Sequence, residues 1–312
     1  GSIVYNPDYK NNVVSEDNNS VIEHYDESSS TYHEFYDKEK LFDVSAPYPA
    51  NYFRLQLLLN SFKSKKIQNV IEVGVGEGTP LTTLGKAGMD VWGFDISKEM
   101  VKKSKENMEK NNMNKEQIFC GDIQNPTTYT QVLHDMKFDG LIAMGVMPHV
   151  NNDDEVLKNM ASLVKSKGHV FVEFRNKLFS LFTCNRNTVD FILNDLLIGV
   201  DDKVKSLVRK DLESRLRVDV PPIRKKIANS SAPGYDAILS KFHNPFEIIE
   251  KFKKFGFRNI NILWYHFHPA MPYLEKNIPE IFRKESINLE HDPTDWRGYF
   301  LCSAFVIEAI KE

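Results

Sequence analysis

Apolar residues follow two different spacings along this chain, and the change falls near Lys66. Before it, residues 52–62 carry helical spacing, with leucines at 55, 57, 58 and 59. After it, short apolar runs alternate with amphipathic stretches. Residues 69–73 form a β-branched run and read as a strand. Residues 79–87 read as a short helix closed by Gly88. Residues 91–94 read as a strand ending at Asp95, and Ser97 is placed to cap a helix reaching about Asn112. A strand over 117–120, a helix over 129–136 and a continuous apolar strand over 138–144 follow. Asp153 or Asp154 then caps a helix to about Lys165, and 169–174 is a further strand. Strands alternating with helices across short loops predict βαβ units and a parallel sheet covered on both faces.

The alternation stops between Asn176 and His243. That block has amphipathic helical spacing, broken at Pro221-Pro222, and reads as an insertion. Asn244, Pro245 and Glu247 then supply a cap, a first-turn proline and an N3 acid for a helix ending at Gly256. Strands over 259–266 and 302–309 complete the pattern. The expected organisation is a polar tail (1–20), an aromatic-rich helical cap (21–65), a core (66–175), an inserted lid (176–243) and the rest of the core (244–312), itself interrupted at 267–299.

Composition narrows the possible functions. The 312 residues include 40 basic and 43 acidic side chains, for a formal charge of -3, which is not the footprint of a duplex nucleic-acid binder. Basic runs at 63–66 and 224–226 read as solvated faces. Three scattered cysteines, 120, 184 and 302, argue against a disulfide framework. No apolar stretch approaches the roughly 20 residues of a membrane span. With a polar, acidic start showing no secretory leader, the expected compartment is the cytoplasm. The expected partner is a small molecule, and a homo-oligomer is compatible.

The sharpest local signal is "VIEVGVGEGTPL" (70–81), with glycines at 74, 76 and 78 between a strand and a helix. Alternate glycines permit a tight turn and leave room for a ligand against the peptide plane. The helix from Thr79 directs free N–H groups at the same place. Asp95 closes the next strand, 17 positions after Gly78, where a carboxylate can accept both hydroxyls of a ribose. A dinucleotide and S-adenosylmethionine (SAM) both contain these parts. Dinucleotide sites use G-x-G-x-x-G, whereas this spacing is G-x-G-x-G and position 79 is Thr. Glu72, two residues before the first glycine, sits badly beside a pyrophosphate and suits a zwitterionic amino acid joined to a sulfonium.

The segment 72–78 (EVGVGEG), "GFDIS" at 93–97, "CGDI" at 120–123 and "FDGLIAMGVMPHV" at 138–150 together resemble the class I SAM-dependent methyltransferases. The resemblance covers 69–174 and resumes over 244–309. It implies a Rossmann-like α/β fold with a seven-stranded sheet in order 3-2-1-4-5-7-6, the last strand antiparallel. By position, it implies that Gly74, Gly76 and Gly78 line the methionine portion, beside Glu72. Asp95 would hold the ribose and Ile96 would pack on the adenine. Asp122 and the Ile123 N–H would meet the adenine edge, and Met144 and Gly145 would pass beneath the sulfonium. Asp122 also reads simply as a helix cap or turn residue.

Methyl transfer to a hydroxyl needs positioning and a base. His149 follows the fourth strand, where the small-molecule branch of the family often carries a histidine; a structural role is the alternative. Glu173, Arg175 and Asn176 end the fifth strand, and His266 and His268 end the sixth, each histidine on the same strand face. Asn151–Asp154 reads as a loop and cap rather than a metal cluster, so no metal is expected. Tyr32, Tyr36, Tyr48 and Asn176 are expected at the acceptor. Segments such as "YHEFYD" (32–37) and "YHFHPAMP" (265–272) resemble bacterial methyltransferases of cell-surface glycans and secondary metabolites. The resulting expectation is an O-methyltransferase of a sugar or similar polyhydroxylated metabolite. An amine N-methyltransferase, a non-catalytic SAM-binding subunit and a dinucleotide-dependent oxidoreductase are the alternatives.

Overall fold

A computed structural model describes residues 38–218 and 241–312. Tyr32, Tyr36 and the Pro221-Pro222 break lie outside the described residues. The apolar runs form seven strands: β1 (Asn69–Val73), β2 (Asp90–Asp95), β3 (Ile118–Cys120), β4 (Phe138–Ala143), β5 (Val164–Arg175), β6 (Phe257–Phe267) and β7 (Cys302–Lys311). They make one sheet in the order β3-β2-β1-β4-β5-β7-β6. Strands β1 to β5 pair in parallel, whereas β7 is antiparallel to both β5 and β6. Order and directions are those the motif resemblance implies. Because β6 runs with β5, the carboxyl ends of β1, β2, β4, β5 and β6 share one edge of the sheet.

Each face has its own core. On one, helix α1 (Ala50–Phe62) lays Leu55, Leu58, Leu59 and Phe62 against Val70, Ile142, Phe171, Leu263 and Val306. Burying each such leucine contributes about 1.5–3 kcal/mol, which explains why "RLQLLL" docks as a helix although few charged residues cover its outer side. On the other face, α5 (Asp153–Leu163) and α7 (Pro245–Lys254) pack Val156, Met160, Ile248 and Phe252 against Phe138, Val172, Phe174 and Phe305. Between these in the chain lie α2 (Thr79–Lys86), α3 (Lys98–Lys110) and α4 (Thr127–Leu133), which cross between parallel strands, and α6 (Asp202–Arg215).

The caps largely follow the sequence chemistry. The Ser97 hydroxyl accepts from the Met100 N–H at 3.2 Å, and the Asn244 amide oxygen accepts from the Phe246 N–H at 3.0 Å. One cap differs from expectation. Asn152, not Asp153 or Asp154, caps α5 by accepting from the Glu155 N–H at 3.2 Å, which leaves the Asp153 carboxylate free for other partners. Strand β5 also starts earlier than the apolar pattern indicates. It begins at Val164, directly after α5, because Lys165, Ser166 and Lys167 extend into solvent and carry no apolar signal.

The excursion after β5 leaves through buried turns over 177–191, reaches α6, which buries none of its residues, and returns at Lys241. The excursion after β6 contains α8 (Pro279–Leu289). Among the described residues, no helix is long and apolar enough to cross a membrane.

Candidate functional site

The glycine loop does two kinds of work. Gly74, Gly76 and Gly78 all have left-handed backbones, with φ of 74°, 53° and 88°. A Cβ on Gly74 would lie 2.6 Å from Val146 Cγ2, and one on Gly78 would lie 2.6 Å from Ser104 Oγ. Those two glycines are demanded by the protein's own packing, which joins the loop to the turn after β4 and to α3. Only at Gly76 does the space beside the backbone stay open.

Asp95 is held beside that opening. One carboxylate oxygen accepts from the Gly76 N–H at 3.1 Å and the other from the Ser97 N–H at 2.9 Å. Each oxygen keeps a lone pair for a ligand hydroxyl. Ile96, the next residue, is 72% exposed although it is flanked by a buried strand. Glu72 is 1% exposed, and its Oε1 has no hydrogen-bond partner. Burial drives its carboxyl well above the ordinary carboxylate range; the Arg54 charge opposes this and Asp95 adds to it. A buried carboxyl with an unused oxygen, an open glycine and an exposed isoleucine, on the ends of neighbouring strands β1 and β2, fit a nucleoside carrying a cationic amino-acid tail.

Asp122 forms a local turn, with Oδ1 accepting from the Gln124 N–H at 2.9 Å. Ile123 is buried, and its carbonyl accepts from the Asn159 amide at 2.8 Å. Met144 is buried and Gly145 is left-handed, at φ 77°. His149 ends the short turn Met147–His149 directly after β4.

Strand alternation separates Glu173 from Phe174 as the sequence indicates. Phe174 stacks on Phe305 in the core at 5.3 Å between ring centroids. Glu173 turns to the opposite face and pairs with Arg54 of α1, and the buried Tyr265 hydroxyl interacts with both. Arg54 also lies within electrostatic reach of Glu72. Neither Arg54 nor Tyr265 belongs to a local motif; the one signal in the sequence is a single guanidinium inside an otherwise apolar helical run. The Arg175 carbonyl accepts from the His243 N–H at 2.8 Å. Asn176, expected at the acceptor, is buried where β5 ends. It is 1% exposed; its Nδ2 donates to the Tyr299 and Cys302 carbonyls at 2.9 and 2.8 Å, and its Oδ1 accepts from the Leu178 N–H. Its amide is committed to the main chain at the end of β5.

His266 and His268 do meet, stacked at 4.7 Å, but as part of an aromatic pile. Tyr48 lies on His266 at 4.9 Å, and Phe179 lies against His268 at 4.6 Å. His266 has a left-handed backbone, φ 62°. That turn breaks the alternation of β6, so Phe267 enters the same core as Trp264. Burial pushes the imidazoles down to about 3 for His266, helped by His268, and to about 4 for His268. Both are neutral rings with weak basicity. The Tyr48 hydroxyl donates to Glu290 at 2.8 Å, and the Phe267 N–H donates to the same oxygen at 3.0 Å. Glu290, another residue the sequence did not single out, is raised by burial to about 7. Among the described residues, no group of three His, Cys, Asp or Glu side chains is arranged to hold a metal ion.

Comparison with known proteins finds similar sequences and folds. Residues 71–172 match a family model described as a methyltransferase domain. Ubiquinone biosynthesis O-methyltransferase of Coxiella burnetii is 24% identical over 248 residues, covering 77% of this chain and 86% of that protein. The protein of the same description from Pelagibacter ubique is 27% identical over 154 residues, covering 49% of this chain and 61% of the relative. Similar solved structures include a SAM-dependent methyltransferase from Archaeoglobus fulgidus, with 16% identity, 83% of this chain and 91% of that chain covered, and a TM-score of 0.44.

Proposed function

We propose, from the premise that this chain is a class I SAM-dependent methyltransferase, that it methylates a hydroxyl group on an aromatic ring of the quinone-precursor kind, with His149 as the proton acceptor. SAM, when bound, supplies the electrophilic methyl group. Asp95 would hold the ribose, Gly76 would give main-chain room, and Glu72 would meet the ammonium of the amino-acid tail. Arg54, held by Glu173 and Tyr265, places a cation near the same tail.

The observation that carries the base assignment is the weak basicity of the other two candidate histidines. His266 and His268 are pushed down to about 3 and 4 by burial, so near neutrality they accept protons poorly. His149 stands instead on the turn Met147–His149 after β4, four residues beyond the left-handed Gly145, with its residue half-buried and its Nε2 enclosed. The acceptor class rests on the relatives, whose descriptions name ubiquinone biosynthesis and O-methyl transfer. The sugar or glycan acceptor expected from short motif resemblances has no counterpart among those relatives, and Asn176, one of its expected hydrogen-bonding residues, is spent on the fold.

The test is transfer of labelled methyl from SAM to 3,4-dihydroxybenzoate, to a nucleotide-linked sugar and to a small primary amine, with products identified by mass spectrometry. Methylation of the phenolic hydroxyl supports the reading. Labelling of the sugar or the amine alone replaces it.

A further inference from the structure

The excursion after β5 begins and ends at one point of the sheet edge. The Lys177 N–H donates to the His243 carbonyl at 2.9 Å, and the His243 N–H donates to the Arg175 carbonyl at 2.8 Å, so the returning leg lies beside the end of β5. Two residues earlier, the Lys241 N–H donates at 2.8 Å to the carbonyl of Pro148, the neighbour of His149. The leg thus bridges β5 and the turn that carries His149.

A single carboxylate fastens both sides of this bridge. Asp153 Oδ1 pairs with Lys241 Nζ at 2.8 Å, and Oδ2 lies 2.9 Å from His243 Nε2. The pairs are shielded: side-chain exposure is 16% for Asp153, 24% for Lys241 and 6% for His243. The His243 ring also meets Phe174 edge-on at 5.1 Å. Asp153 can take this role because Asn152 has relieved it of capping α5. It stands four residues after His149, at the first position of a helix packed into the core. Charge-assisted bonds of this geometry are about twice as strong as neutral ones.

We infer that Asp153 is a positioning residue: its carboxylate clamps the returning leg, Lys241 to His243, onto the turn carrying His149, and so fixes that turn relative to the end of β5. The inference rests on the proposed role of His149 for its effect on turnover, but not for its effect on structure. A loose turn would let the imidazole wander from the acceptor oxygen, and displacements of about 1 Å can cost about 100-fold in rate.

Two readouts separate the clamp from the base assignment. Hydrogen exchange over 146–150 and 241–244 is measured in Asp153→Asn, Asp153→Ala and Lys241→Met. Both segments are expected to exchange about tenfold faster in Asp153→Ala, with Asn intermediate because it keeps one acceptor. S-adenosylhomocysteine affinity, measured calorimetrically, is expected to stay within about threefold and serves as the folding control. Unchanged exchange over 146–150 in both Asp153→Ala and Lys241→Met overturns the clamp. Turnover on 3,4-dihydroxybenzoate is then compared in the wild-type and His149→Ala backgrounds. Asp153→Asn is expected to lower kcat about tenfold in the first and to have little further effect in the second. Equal losses in both backgrounds overturn a role through His149. If His149→Ala is itself silent, the base assignment falls and the exchange data alone decide the clamp.

Discussion

At the scale of single residues, the glycine loop separates two roles that look identical in sequence. Gly78→Ala places a methyl 2.6 Å from Ser104 Oγ on a left-handed backbone. Gly76→Ala meets only the left-handed backbone, since nothing lies within 4 Å. Urea unfolding without ligand should show a loss of about 2–3 kcal/mol for Gly78→Ala and about 1 kcal/mol for Gly76→Ala. Calorimetry with S-adenosylhomocysteine should reverse the order, with Gly76→Ala losing more affinity because, of the three loop glycines, it alone keeps open space beside the main chain. A single ranking in both experiments would contradict the division. For His149→Ala, steady-state kinetics should give a fall in turnover of about 100-fold, with SAM affinity within a few-fold; near-wild-type turnover would remove His149 as the base. The types and spacing of Glu72, Asp95 and the glycines were readable because each stands at the end of an apolar strand run or in the loop directly after it. Which glycine stays open was not, because Val146 and Ser104 arrive from distant elements.

At the scale of elements, strand and helix boundaries followed apolar spacing wherever one face was buried, as in β1 and β4. They failed where the chain extended into water, as at Lys165–Lys167 in β5. The joint between α1 and the sheet was hidden for a different reason: its polar part is a long-range pair. Arg54 and Glu173 are 119 positions apart, and no local pattern couples them. Arg54→Met leaves Glu173 buried without its cation and should cost about 3–5 kcal/mol in chemical denaturation. Adding Glu173→Leu should recover most of that loss, because two apolar groups replace a desolvated pair. A double variant as unstable as Arg54→Met would show that the pair is not the source of the cost. The caps tell a similar story. The Asn-Asn-Asp-Asp run announced a helix start, and only the folded arrangement shows which side chain caps and which is released to hold Lys241 and His243.

Across the whole molecule, the excursion after β6 and the segment before α1 are tied together by buried polar groups. Arg283 donates to the Leu41 and Ala46 carbonyls at 2.9 and 2.6 Å, and Glu290 accepts from Tyr48. Glu290 is raised from 4.5 to about 7 by burial. Its folded value exceeds its unfolded one, so its contribution is complete below about pH 4.5 and is lost as pH rises through about 7. Glu290→Gln fixes the neutral form. Relative to wild type it should gain up to about 3 kcal/mol at pH 8 and little at pH 4. Unfolding free energies at the two pH values check this, and an equal effect at both would refute it. The topology itself was legible only through the order of motifs, since spacing alone does not say which strands are neighbours.

That topology has a consequence for assembly. β7 follows β6 in the chain yet lies between β5 and β6 in the sheet. A nascent polypeptide halted after β6 therefore leaves β5 with an open rim of amides and carbonyls, and β6 with no neighbour. Such a rim is a template for foreign strands, so shielding by a chaperone matters most in the interval before the Cys302–Lys311 ribbon slides between them.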